Sequence, residues 1–482
     1  MPPRARIRWG PNALASMAEV LWHSLPDSTR SEVLAWLFGH KLTWFSGCSG
    51  TDSPDWVFTA LTALLGFTAL HMASAEHNSA KRQWIRRQCN PRWLFQDLFD
   101  LSRITARCER GVRVVMAMLD HLDLFVAGFS CKDLSTLNTA QKNIQKLLRD
   151  GGGTSGSTLA GVLLVLQWRR PRSFIFENVP NLRYYMAPLA KRMQALGYII
   201  VWRVVDALES FTPQRRLRLY IVGWLRADLE ASGMDINTFA QEMSTTWSDL
   251  LKDNPVMDID DFLLPDDDPG LVAHQRALIA KMHGDSPLAH VSKEQKWHEK
   301  NKLILNKRGV KRSFSNWRPC YAKPMPDFPN LPARCQELLD SRQLEFPDTR
   351  RLLVRIDQSD ANVSEAIAPC MNPGGIIWIA HKARLMRAWE KLSLQAIYCT
   401  PAQVATFGEN LVSDLAGNAF CASSCLVAVL VSLIGRARIT ARATQATAVS
   451  ADPAPSRAQS SSSSSRPKPT FLKKHTFVPD WD

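Results

Sequence analysis

From residue 42 to about residue 225, short apolar runs alternate with longer amphipathic stretches. That alternation predicts α/β layering. Strands are expected over residues 42–46, 68–75, 122–127, 173–176, 199–205 and 219–222, with a shorter apolar piece at 93–95. Helices are expected over 56–65, 80–88, 159–168 and 187–196. Six strands with intervening helices fit a doubly wound sheet, in which ligands bind at the carboxyl ends of the strands. Ahead of residue 40 the pattern reads as one or two helices, with Ser28 a candidate N-cap for the one ending near Phe38. The longest apolar run, residues 419–434, is shorter than the roughly 20 residues of a spanning helix. No membrane segment is expected.

Regularity fades after residue 226. The stretch to about 370 is rich in Pro, Asp, Lys and Trp, and within it residues 296–318 mix many Lys and Arg with Trp297, Phe314 and Trp317. Such a mixture suits phosphate contact with stacking, and equally a solvated basic loop. An ordered block returns over about 374–434. Beyond Arg436 the chain is Ala, Ser, Pro and Arg with a serine run at 460–465, a composition expected to be disordered.

Charge and cysteine content narrow the picture. A net charge of +14 and a pI near 9.4 favour a polyanionic partner. The ten cysteines contain no Cys-x-x-Cys pair, so neither a zinc ribbon nor a disulfide framework is expected, and no metal site. Reduced thiols and an intracellular setting follow as expectations. Cys421 and Cys425 lie in an apolar run and read as core.

Several strand ends carry candidate chemistry. Phe45-Ser46-Gly47-Cys48-Ser49-Gly50 follows the first strand, and its glycines permit a sharp turn close to a nucleoside. The third glycine of a dinucleotide fingerprint is missing, which disfavours a nicotinamide-dependent oxidoreductase. Glu76 ends the second strand, where an acid commonly accepts hydrogen bonds from ribose. Asp97 follows the third apolar piece and reads either as an adenine contact or as a helix cap. Cys131 lies in a polar loop after the fourth strand, beside Lys132. A lone cysteine is more often core, but polar flanks argue for reactivity. Glu177 and Asn178 end the apolar strand 173–176, where an unpaired carboxylate would be costly. Arg216 and Arg218 flank Leu217, so an extended chain aims both at one face.

This order of pieces resembles the cytosine-5 DNA methyltransferase family. Phe45-Ser46-Gly47 resembles its cofactor loop, and Glu76 and Asp97 its ribose and adenine contacts. Cys131 with Ser135 resembles the nucleophile motif. Glu177-Asn178-Val179 and Gln214-x-Arg216-x-Arg218 are identical to family motifs. Glu390 and Gln395 are similar to the penultimate motif, and Gly417-Asn418-Ala419 to the last, which returns to the cofactor site. Ser130 and Lys132 stand where the family usually has Pro and Gln around the nucleophile. Thr43-Trp44-Phe45 replaces its Asp-Leu-Phe.

The resemblance implies a Rossmann-like S-adenosylmethionine-dependent methyltransferase sheet with a smaller irregular target-recognition lobe. It divides the chain into an N-terminal helical extension (1–40), a catalytic and cofactor-binding domain (41–225), the recognition lobe (226–370), a returning segment (371–435) and a disordered tail (436–482). It implies S-adenosylmethionine bound by Phe45, Ser46, Gly47, Gly50, Glu76, Asp97, Asn418 and Ala419. Catalysis would fall to Cys131, Glu177, Asn178, Arg216 and Arg218, acting on a cytosine flipped out of DNA. The Cys-Phe-Thr triplet of the transfer-RNA branch is absent, which favours DNA over RNA. A monomer in the nucleus is expected. The alternatives are a nucleic-acid binder with impaired catalysis and an RNA cytosine-5 methyltransferase.

Overall fold

The computed structural model describes residues 7–134, 153–265, 351–357 and 363–450, with isolated positions between 268 and 342. Ser135, nearly all of the basic segment 296–318 and the serine run 460–465 lie outside the described residues.

A seven-stranded sheet carries the molecule. Its strands are β1 (Lys41–Gly47), β2 (Thr68–Ala75), β3 (Trp93–Phe95), β6 (Leu124–Ala127), β7 (Ser173–Asn178), β8 (Tyr198–Asp206) and β9 (Leu217–Leu225). A small hairpin, β4 (Thr105–Arg107) and β5 (Arg113–Val115), sits apart. The order in the sheet is β3-β2-β1-β6-β7-β9-β8. All neighbours are parallel except β9, which runs antiparallel to both β7 and β8. The sheet is therefore wound on both sides as expected, with one reversed strand that hydrophobic pattern alone does not reveal.

Successive side chains feed opposite faces, as strand geometry requires. Phe174 and Phe176 join one core with Phe45, Phe125 and Ile221, while Ile175 joins the other with Trp44, Val126 and Trp224. The first core is closed by α5 (Gly153–Arg169) and α6 (Met186–Ala195). The second is closed by α1 (Ala13–Ser24), α2 (Asp27–Leu37), α3 (Ser53–Leu65) and α4 (Ser79–Gln88), joined by helices from the second half of the chain. Helix α2 starts at Asp27 behind Pro26 and has no side-chain cap, so Ser28 is not its N-cap. Pro supplies the pre-set backbone angle there instead.

Two expectations about the later chain are corrected. Residues 226–251 are not irregular: α7 (Arg226–Ala231) and α8 (Ile236–Leu251) come directly after the sheet, and Phe239, Met243 and Trp247 of α8 enter its core. Nor does order stop at 435. After α9 (Ala388–Ser393), α10 (Pro401–Phe407) and α11 (Glu409–Asn418), helix α12 runs from Ala422 to Ser450. Alanine's helix propensity carries it beyond Arg436, and ion pairs dock it: Arg436 to Asp228 at 2.5 Å and Arg438 to Glu242 at 2.6 Å. Its stretch Ala422–Gln445 is long and apolar enough to cross a membrane, which revises the shorter run read from sequence. Its residues up to Ala437 are all buried inside the protein, the behaviour of a core helix apolar on all sides.

Residues 352–385 form a four-stranded antiparallel sheet, β11-β10-β12-β13, from β10 (Leu352–Arg355), β11 (Val363–Glu365), β12 (Ile377–Ile379) and β13 (Arg384–Leu385), which spans the expected boundary at 370. It has its own small core around Leu339, Val354 and Trp378. Glu390 of α9 ties the end of this sheet to Leu264. Fully buried, it takes both Arg384 amino groups (2.7 and 3.0 Å) and the Leu264 and Arg387 backbone N–H groups (2.7 Å each).

Candidate active site

Strand register brings the chemistry to one edge. Gly47, Ala127 and Phe176 sit level on β1, β6 and β7, so the loops after them open on the same side. Glu177 and Asn178 belong to β7 itself, paired with Tyr220 and Leu219 of β9. The predicted strand thus continues two residues further, and its carboxylate is fixed by the sheet rather than by a loop.

The loop carrying Cys131 is pinned from two directions. Asn178 Nδ2 donates to the Phe129 carbonyl at 2.9 Å and its Oδ1 accepts from Val179 N–H at 2.8 Å. The start of α5 provides the other hold. Ser130 N–H donates to Thr158 Oγ1 at 2.9 Å, and Asp133 and Ser155 exchange bonds of 3.0 and 2.8 Å. A proline at 130 would have no N–H to give Thr158. Gly128 allows close passage, because a Cβ there would lie 2.3 Å from the Phe420 ring and 3.5 Å from Glu177 Oε2.

Cys131, Glu177 and Arg218 form one electrostatic cluster. Arg218 Nε is 3.0 Å from Glu177 Oε1, both side chains about nine-tenths buried. Burial raises the Glu177 pKa, opposed by Arg218 and Arg216. Burial, then the Glu177 charge, raises the half-buried Cys131 thiol, while Arg218 and Arg216 pull it down. Burial works against the Arg218 charge, but Cys370, Glu177 and Cys131 outweigh it and its pKa is raised. Cys370 was not anticipated from sequence. Its sulfur lies 3.9 and 4.0 Å from the two Arg218 amino groups, and those arginines lower its pKa despite its burial. No periodicity or motif marks it.

Arg216 and Arg218 both act on Glu177, Cys131 and Cys370, but their hydrogen-bond partners differ. Arg216 lies just before β9, 2% exposed, and donates to the carbonyls of Met371 (3.0 Å), Gly417 (3.1 Å) and Ala419 (2.6 Å). It straps the returning segment to the sheet, and Gln214 adds a buried amide contact to Gln395 at 3.0 Å. Ala419 is reached through its backbone. Asn418 is exposed and its amide donates to Asp414, so its side chain caps its own helix.

Along the same edge, Glu76 Oε2 accepts from Gly50 N–H and Oε1 from Asn78 N–H, each at 2.9 Å. Gly50 is left-handed (φ 54°), and the place of a Cβ there faces open space. Gly47 is close-packed, since a Cβ would come 2.5 Å from Leu98. Cys48 between them is pushed up to about 12 by burial, then by Glu76 and Asp97, so both acids face this loop. Asp97 is exposed and caps the 3-10 helix Leu98–Ser102 through Phe99 N–H at 3.0 Å, which fulfils the cap alternative and leaves its edge free. Ser46 is buried and bonds Ser49 and Ser74. Phe45 departs from expectation: fully buried and stacked on Phe125, it offers the loop no side chain. A groove of about 740 Å³ elsewhere, between α2, α8 and α12, shares none of these residues.

The model of the family described as C-5 cytosine-specific DNA methylase matches residues 99–344, just over half of the chain. This chain belongs to that family. A DNA (cytosine-5-)-methyltransferase, DMT5, of Cryptococcus neoformans var. grubii is 26% identical over 438 residues, covering 84% of this chain and 17% of that protein. Its namesake in Verticillium dahliae is 22% identical over 83% of this chain and 20% of its own length. The chain therefore spans a fifth or less of these fungal relatives. The type II methyltransferase M.NgoBV of Neisseria gonorrhoeae is 30% identical over 122 residues, 23% of this chain and 27% of its own. For a C-5 cytosine methylase, the cluster of Cys131, Glu177 and Arg218 is the natural place to seek the chemistry.

Proposed function

We propose that this chain methylates carbon 5 of cytosine in DNA, with S-adenosylmethionine as donor and Cys131 as nucleophile. The observation that carries this reading is the meeting of a thiol, a carboxyl group and a guanidinium at one sheet edge, beside the open loop held by Glu76.

The loop fits a nucleoside donor. Gly50 leaves open space, the Glu76 carboxylate stands at the end of β2 for ribose hydroxyls, and Asp97 keeps an exposed edge for an amino group. Ser46, Gly47 and Ala419 shape the surrounding backbone. S-adenosylmethionine bound there would supply an electrophilic methyl group.

The residues of the chain do the rest. The Cys131 thiol loses its proton to solvent and its sulfur adds to carbon 6 of the pyrimidine, which makes carbon 5 nucleophilic; once carbon 5 carries the methyl group, a base takes the carbon 5 proton, the sulfur–carbon 6 bond breaks and Cys131 is freed. Glu177, held toward its protonated form by burial, hydrogen-bonds ring nitrogen 3 and stabilises the charge that develops. Asn178 fixes the loop over it. Arg218, beside Glu177, offers its fork to the base carbonyl. Arg216 contributes by holding the returning segment in place. In duplex DNA the cytosine must leave the stack, at a cost of a few kcal/mol.

Transfer of a labelled methyl group tests the reading. Duplex DNA should accept label at carbon 5 of cytosine, and structured RNA should compete poorly. Label on RNA alone would move the substrate to RNA. Tight DNA binding with no transfer would favour the impaired-binder alternative, to which Ser130 and Lys132 point.

A further inference from the structure

Beneath the loop of residues 47–53 runs a buried chain of polar groups that the proposed chemistry leaves unused. Asp52 is fully buried and left-handed (φ 57°). Ser74 Oγ donates to Asp52 Oδ2 at 2.6 Å and lies 2.8 Å from His71 Nε2. His71 Nδ1 is 2.9 Å from Asp55 Oδ1, and its ring stacks on Trp44 with centroids 3.7 Å apart. On the other side, Ser46 Oγ donates to Ser74 at 3.2 Å and meets Ser49 Oγ at 2.7 Å. The chain thus runs from α3 to Ser49, next to the Gly50 N–H that holds Glu76.

Counting hydrogens gives this chain two arrangements. Ser74 has one hydroxyl hydrogen. While it points at an ionised Asp52, His71 Nε2 must carry the hydrogen of its own contact with Ser74. If Asp52 takes a proton, it donates to Ser74, Ser74 turns to His71 Nε2, and Nδ1–H donates to Asp55. With that proton taken from solution the second arrangement is one proton richer, and the Nδ1–Asp55 contact it fills lacks a hydrogen in the first.

Burial, opposed by His71 and Ser74, pushes Asp52 up to about 6. Burial also takes Asp55 to about 7 and His71 down to about 4. The other titratable groups facing these acids are Cys89 after α4 and Cys425 on α12, both raised by burial and so neutral. Near neutral pH the charge change therefore sits on the two carboxyl groups.

We propose that Asp52, acting through Ser74, Ser46 and Ser49, is a positioning residue that holds the loop 47–53 in its ligand-receiving shape, and that it does so as the carboxylate. This rests on the reading of that loop as the S-adenosylmethionine site. A cationic sulfonium ligand favours the ionised network, so binding releases the Asp52 proton. With a free-state pKa of about 6, that linkage weakens binding about fourfold between pH 7.5 and 5.5.

Calorimetric titration of the full chain with S-adenosylmethionine across that pH range tests the proposal, alongside Asp52→Asn and Ser74→Ala. The parent should lose about fourfold in affinity on acidification. Asp52→Asn should bind more weakly at pH 7.5 and lose the Asp52 part of the pH dependence, so that its affinity changes less across the range than the parent's. An Asp52→Asn protein with the parent's affinity and slope overturns the proposal. If that variant does not fold, Ser74→Ala decides: it keeps the carboxylate but cuts the bridge, so weaker binding at pH 7.5 supports the proposal and parental affinity refutes it. A parent that binds no S-adenosylmethionine at any pH removes the cofactor reading itself, and this proposal with it.

Discussion

Replacing Arg216 by Met separates a structural strap from a catalytic group. The substitution keeps the length of the stem and removes three donors, to Met371, Gly417 and Ala419. Charge-assisted bonds of this kind contribute about 1.5–3 kcal/mol each, a gross loss of roughly 4–9 kcal/mol. Sparing the guanidinium its burial returns several kcal/mol. The lowered Arg216 pKa, caused first by burial and then by Arg218, shows that this penalty is present. The net loss should be about 3 kcal/mol, or roughly 150-fold in the local opening equilibrium. Hydrogen exchange should report it as faster exchange of amides around residues 371 and 417–419, with β1 and β6 unchanged. Thermal unfolding should shift by only about 3 °C, because a chain this long has an unfolding entropy near 1 kcal/mol/K. Parental exchange at 417–419, together with a large fall in kcat, would refute the strap and return Arg216 to the reacting groups.

The same geometry sets three other outcomes. Glu177→Gln keeps the shape and loses the acid, so kcat should fall about 100-fold or more, the scale of general acid catalysis; normal turnover would remove Glu177 from the mechanism. Arg218→Gln deletes a charge that lowers the Cys131 pKa, so alkylation of Cys131 should require higher pH than in the parent, with an unshifted profile as the contrary result. Thr158→Val removes the acceptor for Ser130 N–H. It should lower kcat while leaving S-adenosylmethionine affinity unchanged, and equal kcat would show that the loop does not need this bond.

Much of the sheet was legible because its signals are local. The apolar runs at 68–75 and 93–95 are the strands β2 and β3, and the helices at 80–88 and 187–196 are displaced by a residue at most. Misses arose where tertiary partners decide. The reversed β9 is set by its pairing with β7 and β8, which no single-strand pattern encodes. The far half of α12 reads as low-complexity Ala, Arg and Thr, yet Asp228 and Glu242, 208 and 196 residues away in sequence, hold its arginines.

The site shows the same division. Glu177, Arg218 and Cys131 are recognisable by type and spacing. What each touches is not: Arg216 looked like a twin of Arg218 and is a strap, Phe45 looked like part of the loop and is core, and Cys370 beside Arg218 carried no signal. Residue type announces chemistry, while burial and partner depend on packing between distant segments.

The covalent step offers the most direct measurement. A duplex carrying 5-fluorocytosine at its target position should form a denaturant-resistant adduct with the parent chain in the presence of S-adenosylmethionine, and peptide mapping should place the DNA on Cys131. Cys131→Ser should give none. An adduct on another residue, or efficient methylation by Cys131→Ser, would contradict the account.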